Sequence, residues 1–256
     1  MTMVALLADI HANAPALEAV LSTRIARDVS TFWCAGDVVG YNAFARETIA
    51  LAKVANVLAV HGNHDLMVTG RLSMERAGPR ARRAVAWTRA QLSSDERKWL
   101  ESLPGSLHVA DGVICVHSTL GDTERRMTTD DDYRLQAKAL READPTLRVS
   151  VCGHTHQAGV VRVAPDGRVQ RFIGARVDLA AAGTWFVNPG SVGEPRDGDM
   201  RASFAVLEWP ARRVHFHRVR YNRSAVSRVN AVRLPAPPQR GGWLRAIARR
   251  LASAQA

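Results

Sequence analysis

Short apolar runs alternate with stretches of helical periodicity along the first 62 residues. The apolar runs occupy 4–9, 31–36 and 56–62, and apolar residues recur at helical spacing over 14–26 and 45–54. Continuous apolar strands that are separated by helices are typical of sheets covered by helices. This part of the chain therefore predicts an α/β arrangement.

Strand patterns dominate the second half of the chain. A helical region at 66–104 precedes two apolar runs, 106–110 and 112–118, which predict a hairpin that turns at an Asp-Gly pair. A helix is expected near 132–143. The strands predicted after it are 148–154, 159–165, 168–174, 184–190, 202–209 and 212–221. Pieces of both halves are expected to form a two-sheet β-sandwich that is flanked by helices.

The C-terminal residues differ in character from the rest of the chain. We predict one domain over 1–233, a Pro/Gly linker over 234–242 and a basic amphipathic tail helix over 243–256. Three interpretations of this helical tail stay open. It packs on its own domain or frays, it docks on a partner, or it lies on an anionic membrane surface.

Composition limits the class of protein. The chain has 256 residues, and the 46% that are hydrophobic suffice for a sizeable core. No apolar run approaches the roughly 18–20 residues of a membrane-spanning helix, and the N-terminus lacks a signal-peptide pattern. We therefore expect a cytoplasmic protein without a membrane span. Cys34, Cys115 and Cys152 show no C-x-x-C spacing, which favours buried, reduced thiols.

The charge is strongly positive. The net charge of +11 comes almost entirely from arginine, since Lys53, Lys98 and Lys138 are the only lysines. Such a balance suits an anionic substrate or nucleic acid. A general preference for arginine explains it equally well, so the charge alone does not distinguish these explanations.

Polar residues follow five of the predicted strands at the point where each strand ends. They are Asp9 and His11, Asp37, Asn63 and His64, His117, and His154 and His156. Taken singly, such an Asp is commonly a turn residue or a helix N-cap, and such a His is commonly solvated. Five strand ends of this kind in one chain favour a shared site at one rim of a sheet.

The donor types indicate a metal site. Imidazole, carboxylate and amide donors without a thiolate favour Mn²⁺, Fe²⁺ or Zn²⁺. Seven or so candidate ligands are too many for one ion, whereas two ions about 3.5–4 Å apart would use them all.

The order D-x-H, G-D, G-N-H-D, H and G-H-x-H closely resembles the calcineurin-like metallophosphoesterases. The resemblance covers about residues 3–220, and FVNPGSVGEPRDGD at 186–199 is similar to their small bacterial and archaeal phosphodiesterase subgroup. It implies the αββα form of the sandwich and two divalent ions, Mn²⁺ before Fe²⁺, Zn²⁺ or Ni²⁺. The implied ligands are Asp9, His11 and His156 for one ion, Asn63, His117 and His154 for the other, and Asp37 as the bridge.

The residue after Asn63 has a different implied role. By the same resemblance, His64 faces the leaving group as the catalytic acid rather than binding metal. Asp65 follows it directly and is interpreted as the cap of the next helix, with orientation of His64 as the alternative.

The expected chemistry is hydrolysis of a phosphoester. Two dications make a bridging hydroxide available near neutral pH and stabilise the charge of the transition state, and His64 as imidazolium would protonate the departing alkoxide. An anionic small diester or nucleotide is the preferred substrate. Asn188, Ser191 and Arg196 are expected near the rim, and arginines within 71–89 near a second phosphate.

Three further functions stay open beside hydrolysis of a small diester. Nucleic acid is the second choice of substrate, because only 6% of the residues are aromatic and none cluster near the motifs. A phosphomonoesterase that acts on a protein or a small molecule is compatible with the same motifs, and so is a non-catalytic scaffold of the same fold. The sequence carries no signal of an oligomeric state.

Overall fold

Two six-stranded mixed sheets lie face to face at the centre of the molecule. The structure is a computed structural model and describes residues 2–234. The strands are β1 (Thr2–Leu7), β2 (Thr31–Cys34), β3 (Leu58–Ala59), β4 (Ser106–Ala110), β5 (Val113–Val116), β6 (Val149–Val151), β7 (Gly159–Val163), β8 (Val169–Phe172), β9 (Arg176–Asp178), β10 (Thr184–Asn188), β11 (Ala202–Trp209) and β12 (Arg213–Val219). The first sheet has the order β3-β2-β1-β11-β12-β9, and the second has the order β4-β5-β6-β10-β7-β8.

Helices cover the outer faces of both sheets. They are α1 (Ala14–Leu21), α2 (Arg24–Arg27), α3 (Ala45–Val54), α4 (Asn63–Thr69), α5 (Pro79–Gln91), α6 (Ser94–Glu101), α7 (Asp130–Ala143) and α8 (Arg223–Arg233). This arrangement confirms the predicted two-sheet sandwich with flanking helices, and a helix ends the described part of the chain.

The core has three apolar layers, one between the sheets and one under each set of helices. Leu6, Trp33, Val149, Trp185 and Leu207 belong to the central layer. Outside the first sheet, Leu7 and Phe204 pack against Leu17 of α1 and Ile49 of α3. Outside the second sheet, Ile114 and Phe186 pack against Ala137 and Leu140 of α7. All three cysteines are buried and unpaired, as expected for reduced thiols.

The structure differs from the sequence-based elements at four places. The predicted helix 14–26 is two helices, because the Thr23 hydroxyl accepts a hydrogen bond from Ala26 N at 3.1 Å and so caps a new helix, α2. The predicted strand 56–62 keeps only the two residues of β3, since the chain turns into α4 at Asn63. Strand β9 and helix α8 were not predicted.

Helix α8 has only a short apolar pattern, with valine at every third residue in Val226, Val229 and Val232. Of its residues only Val226 is buried. A further local signal is Asn222, whose side chain accepts from Ala225 N at 3.0 Å as an N-cap. The predicted linker beyond Leu234 and the tail helix at 243–256 lie outside the described residues. Between residues 2 and 234, no helix is long and apolar enough to cross a membrane.

Candidate metal centre

Loops that follow five strands meet at one rim of the sandwich. Strands β1, β2 and β3 run parallel to one another in the first sheet, and β5 runs parallel to β6 in the second. The carboxyl ends of parallel strands share an edge, so their following loops converge. The eight predicted site residues lie on these five loops or at the first turn of α4.

Asp9, His11 and His156 form a first donor group, and all three are buried. The Nε2 atoms of His11 and His156 are 3.1 Å apart, and His156 Nε2 lies 3.5 Å from Asp9 Oδ1. His156 Nδ1 is 2.5 Å from the carbonyl oxygen of Glu194, which can only accept a hydrogen bond. The proton of the neutral ring is therefore on Nδ1, and Nε2 turns a lone pair toward the other two donors.

His117, Asn63 and Asp37 form a second donor group. His117 Nδ1 donates to the carbonyl oxygen of Ala35 at 2.7 Å, so Nε2 again carries the lone pair. That nitrogen lies 3.1 Å from Asn63 Oδ1 and 3.5 Å from Asp37 Oδ2. When Asp37 is ionised, three acceptor atoms thus surround one small space without a proton between them.

His154 joins this second group less closely. Its ring centroid is 5.1 Å from that of His117, and it belongs to none of the three tight groups of His, Asp, Glu or Cys donors found among the described residues. Its Nε2 lies 3.1 Å from the carbonyl oxygen of Glu124, which leaves Nδ1 with the lone pair.

Asp37 stands between the two groups. Its Oδ2 is 3.5 Å from His11 Nε2 and 3.5 Å from His117 Nε2. Donor atoms that share an ion at about 2.0–2.2 Å are roughly 3.0–3.5 Å apart, so these separations fit the edges of two coordination shells with one common carboxylate. Asp9 Oδ2 and His11 Nδ1 are buried without any hydrogen-bond partner. The donor set and its spacing fit divalent cations.

Burial perturbs the titration of the whole group. It raises the pKa of Asp37 to about 8, and burial together with the charge of Asp37 raises the pKa of Asp9. Burial also lowers the pKa values of His117, His154 and His156 to about 4, 3 and 2. Strongly shifted pKa values that cluster in this way are typical of functional sites.

The backbone of the site is unusual. Five of the predicted ligands have left-handed φ angles: Asp9 at 52°, His11 at 49°, Asp37 at 53°, His154 at 65° and His156 at 60°. Such angles are uncommon outside glycine and raise the energy of the folded chain. Glycine is required beside them, because a Cβ on Gly40 would overlap His11 Nδ1 and one on Gly62 would overlap Asp37 Oδ1.

Asp65 ties two of the loops together. Its carboxylate accepts hydrogen bonds from the backbone N–H groups of Val38, Val39 and Gly62 at 2.9–3.2 Å. These bonds cap α4 and hold the loop after β2 against it, and none involves the imidazole of His64. The interpretation of Asp65 as a cap is therefore confirmed.

His64 lies at the floor of a cleft of about 280 Å³. A ring nitrogen of His64 is within 4.8 Å of donor atoms of His11 and Asp37, as near to them as a ligand would be. Burial, followed by repulsion from His117 and Arg196, lowers its pKa to about 3. The cleft is lined by Asp37, Tyr41, Asn63, His64, Met67, Arg76, Ala77, Gly78, Ala81, Glu124, Arg126, His154, His156 and Arg196.

The predicted rim segment after β10 supports the site. Ser191 donates to the carbonyl oxygen of Asp9 at 2.7 Å, and Asn188 donates to that of Gly153 at 2.8 Å. The segment therefore fixes the loops that carry the first and last motifs. Arg196, from the same segment, lines the cleft.

Sequence reasoning missed Tyr41 and Asn230, two residues around the site. Tyr41 lies with its ring centroid 4.6 Å from those of both His11 and His64. Asn42 donates to the His11 carbonyl oxygen at 2.9 Å and accepts from Asn230 of α8 at 2.7 Å. The one sequence signal for Tyr41 is its position four residues after Asp37. No local sequence signal places Asn230 near the site.

The chain belongs to the calcineurin-like phosphoesterase superfamily, whose domain model matches residues 2–211. An uncharacterized protein of Methanocaldococcus jannaschii is 30% identical over 238 residues, which cover 91% of this chain and 94% of that protein. The crystal structure of a metallophosphoesterase from Sphaerobacter thermophilus is 34% identical, with a TM-score of 0.75 over 90% of this chain and 93% of that one. A hypothetical protein from Pyrococcus horikoshii shares the fold at 21% identity, with a TM-score of 0.71 over 92% and 95% of the two chains.

Proposed function

We propose that this protein is a dinuclear-metal-dependent phosphoesterase that hydrolyses a small diester or a nucleotide. The observation that carries the proposal is the position of Asp37. Its Oδ2 lies 3.5 Å from a donor nitrogen of each group, which suits one carboxylate shared by two ions. Membership of the phosphoesterase superfamily supports the same reaction class.

The ligand assignment in this proposal follows the two donor groups. Asp9, His11 and His156 would hold one ion, Asn63, His117 and His154 would hold the other, and Asp37 would be shared by both. Such N/O donor sets suit Mn²⁺, with Fe²⁺, Zn²⁺ and Ni²⁺ as alternatives. Bound divalent ions would supply Lewis acidity, which lowers the pKa of water and balances the charge of the phosphoryl oxygens.

His64 acts as the general acid in this proposal. With a pKa of about 3, its imidazole is neutral near pH 7 in the absence of a ligand. The negative charge of a bound phosphoester raises that pKa, so the proton is taken up together with the substrate and then passes to the leaving oxygen. The ring of Tyr41, 4.6 Å away between centroids, limits the orientations open to His64.

A metal and substrate assay tests the reaction class. Protein purified without chelator is expected to hold about two divalent ions per chain and to hydrolyse bis-p-nitrophenyl phosphate when Mn²⁺ is added. Turnover of p-nitrophenyl phosphate alone would make the protein a phosphomonoesterase. Folded protein that binds no metal and turns over neither compound would refute the proposal in favour of a non-catalytic scaffold.

A leaving-group comparison tests the role of His64. An alkoxide needs a proton on departure, whereas p-nitrophenolate does not, so His64→Ala should reduce hydrolysis of a dinucleotide by about 10²–10⁴-fold and that of bis-p-nitrophenyl phosphate far less. His61→Ala is the matched control, because His61 lies three residues away beside Gly105 and outside the donor groups. Equal losses for both substrates in His64→Ala would contradict the assignment.

A further inference from the structure

Three arginines from separate segments line the cleft beside the donor groups. Arg76 lies between α4 and α5, Arg126 lies in the loop between β5 and α7, and Arg196 lies in the segment after β10. All three side chains are exposed to solvent at the cleft.

Among residues 2–234, none of these three guanidinium groups forms an ion pair or donates a side-chain hydrogen bond. Arg196 lies over the ring of Tyr41, 5.4 Å from the ring centroid, whereas Arg76 and Arg126 have no such contact in the described structure. Arginines next to them in the chain or in space form ion pairs: Arg80 pairs with Glu194 at 2.6 Å, and Arg125 pairs with Asp132 at 3.4 Å. Arg80 and Arg125 therefore have a structural role, whereas the arginines of the cleft are available to bind a ligand.

We propose that the substrate of the proposed phosphoesterase carries at least one phosphate group beyond the phosphoester that is hydrolysed, and that Arg76 and Arg126 bind this additional phosphate. The inference rests on the proposed function and names its substrate class, a small bisphosphate or a nucleotide with more than one phosphate. Arg196 is not assigned to this phosphate, since its guanidinium lies over Tyr41, whose ring centroid is 4.6 Å from those of His11 and His64.

The charge around the cleft exceeds what a simple diester requires. A diester carries a single negative charge, which two divalent ions already balance. Arginine is the side chain best suited to a further phosphate, because its planar fork donates two parallel hydrogen bonds to phosphate oxygens. Glu124 is the one lining carboxylate outside the donor groups on the described walls of the cleft, so most of this added positive charge is unopposed.

The size and lining of the cleft favour a small ligand. Its volume of about 280 Å³ is just below the roughly 300–1,000 Å³ typical of small-molecule sites. Tyr41 is the single aromatic residue other than histidine on the described lining, whereas single-stranded nucleic acid is commonly bound on several stacked aromatic rings. A compact molecule with two phosphates matches both features.

Calorimetry with a matched pair of ligands tests the inference. Adenosine 3′,5′-bisphosphate and adenosine 5′-monophosphate are titrated into the Mn²⁺-loaded full-length protein, and bis-p-nitrophenyl phosphate hydrolysis is measured separately. Charge-assisted bonds to one more phosphate should make the bisphosphate bind about 10-fold tighter or more. Arg76→Gln and Arg126→Gln should each reduce this ratio several-fold, whereas Arg228→Gln should leave it unchanged. Arg228 is exposed on α8, has no side-chain hydrogen bond or ion pair in the described structure, and lies outside the cleft.

The outcomes separate this inference from the proposed function. The inference would be overturned if the wild-type protein bound the bisphosphate and the monophosphate with dissociation constants within about twofold of each other. It would also be overturned if Arg228→Gln reduced the preference for the bisphosphate as much as Arg76→Gln and Arg126→Gln do. Both results would count against it even if the diester is hydrolysed. Preferential bisphosphate binding that depends on Arg76 and Arg126, in a protein that turns over no phosphoester, would support the anion site and refute the proposed hydrolysis.

Discussion

The interior and the rim of the sandwich are equally buried, but their residues differ in polarity and in backbone conformation. In the interior, apolar strand residues such as Leu6 and Leu207 pack in regular extended backbone. At the rim, Asp9, His11 and Asp37 are no more exposed, yet they are polar and have left-handed φ angles. Burial in the first region stabilises the fold, and burial in the second opposes it.

Because burial opposes folding at the rim, other parts of the molecule must supply the free energy that keeps the rim folded. Strained angles cost of order 1–3 kcal/mol each, and buried carboxylates without a counter-charge add to that cost. The apolar layers of the sandwich offset it in the metal-free protein, and bound cations would relieve the electrostatic part. Substitutions in the two regions should therefore have opposite effects on stability and on activity.

The largest effect is expected from Asp37→Asn at the rim. Removal of the shared carboxylate should lower diester turnover by at least about 10³-fold, because metal ions supply several kcal/mol of transition-state stabilisation. Without metal at pH 8 the same variant should melt at a higher temperature than the wild type, since a buried ionisable group has been removed. Wild-type turnover in this variant would contradict the ligand assignment.

A substitution in the interior should show the reverse. Leu140 of α7 is fully buried under the second sheet, away from the rim, and Leu140→Ala should lower the free energy of unfolding by about 2–5 kcal/mol. The metal content of the folded fraction should stay at the wild-type value. Denaturant unfolding and metal analysis of one sample check both, and loss of metal from still-folded protein would show that the regions are not independent.

Gly62→Ala would sharpen the comparison by adding one methyl group where the two regions meet. The new Cβ would overlap Asp37 Oδ1, so the carboxylate must move and metal affinity should fall by about 10–100-fold. Gly159→Ala is the control, because its Cβ would make only an ordinary 3.5 Å contact with the Phe172 carbonyl oxygen. Titration of Mn²⁺ into both variants distinguishes local displacement from a general loss of stability.

The pH dependence of the metal-free protein should come mainly from the rim. Burial raises the pKa of Asp37 to about 8 and, with the charge of Asp37, that of Asp65 to about 7. The folded state then binds more protons than the unfolded state, and stability falls as the pH rises from about 4 to 8. The lowered pKa values of His64, His117 and His156 have the opposite effect below about pH 6.5.

The melting temperature of the metal-free protein should therefore be highest at about pH 6. Toward pH 8 it should fall by about 2–4 °C for each kcal/mol by which the free energy of unfolding decreases. Added Mn²⁺ should abolish the fall, because it keeps the carboxylates ionised. A melting temperature that is constant from pH 6 to pH 8 without metal would show that these carboxylates are not protonated in the folded chain.

The smallest effect is expected from substitution of a residue that has a left-handed φ angle but lies outside the metal centre. Arg212 has a φ of 53° and lies in the exposed turn before β12, so Arg212→Gly should raise the free energy of unfolding by roughly 0.5–1 kcal/mol. The activity should be unchanged. A lower melting temperature would mean that contacts of the arginine, such as its position over Trp209, outweigh the strain.

The same contrast explains what the sequence could reveal. Apolar strands and the polar residues at their ends follow from local pattern, so the sandwich was predictable and the rim ligands could be proposed from their order alone. Tyr41 and Arg126 lie in loops without periodicity, and their position beside the cleft depends on how distant segments pack. Helix α8 was missed because its apolar pattern is short, limited to Val226, Val229 and Val232, and directly follows the predicted strand 212–221.

Strand β1 is the first element of the chain, yet one of its two neighbours in the sheet is β11, with Val4 opposite Leu207. During synthesis at about 5–20 residues per second, β1 waits roughly 10–40 s before that partner leaves the ribosome. The motif that carries Asp9 and His11 is therefore made long before the strand that supports it. The rim assembles only after β11 has been synthesised, and until then an apolar strand with one unpaired edge is open to pairing with a neighbouring chain.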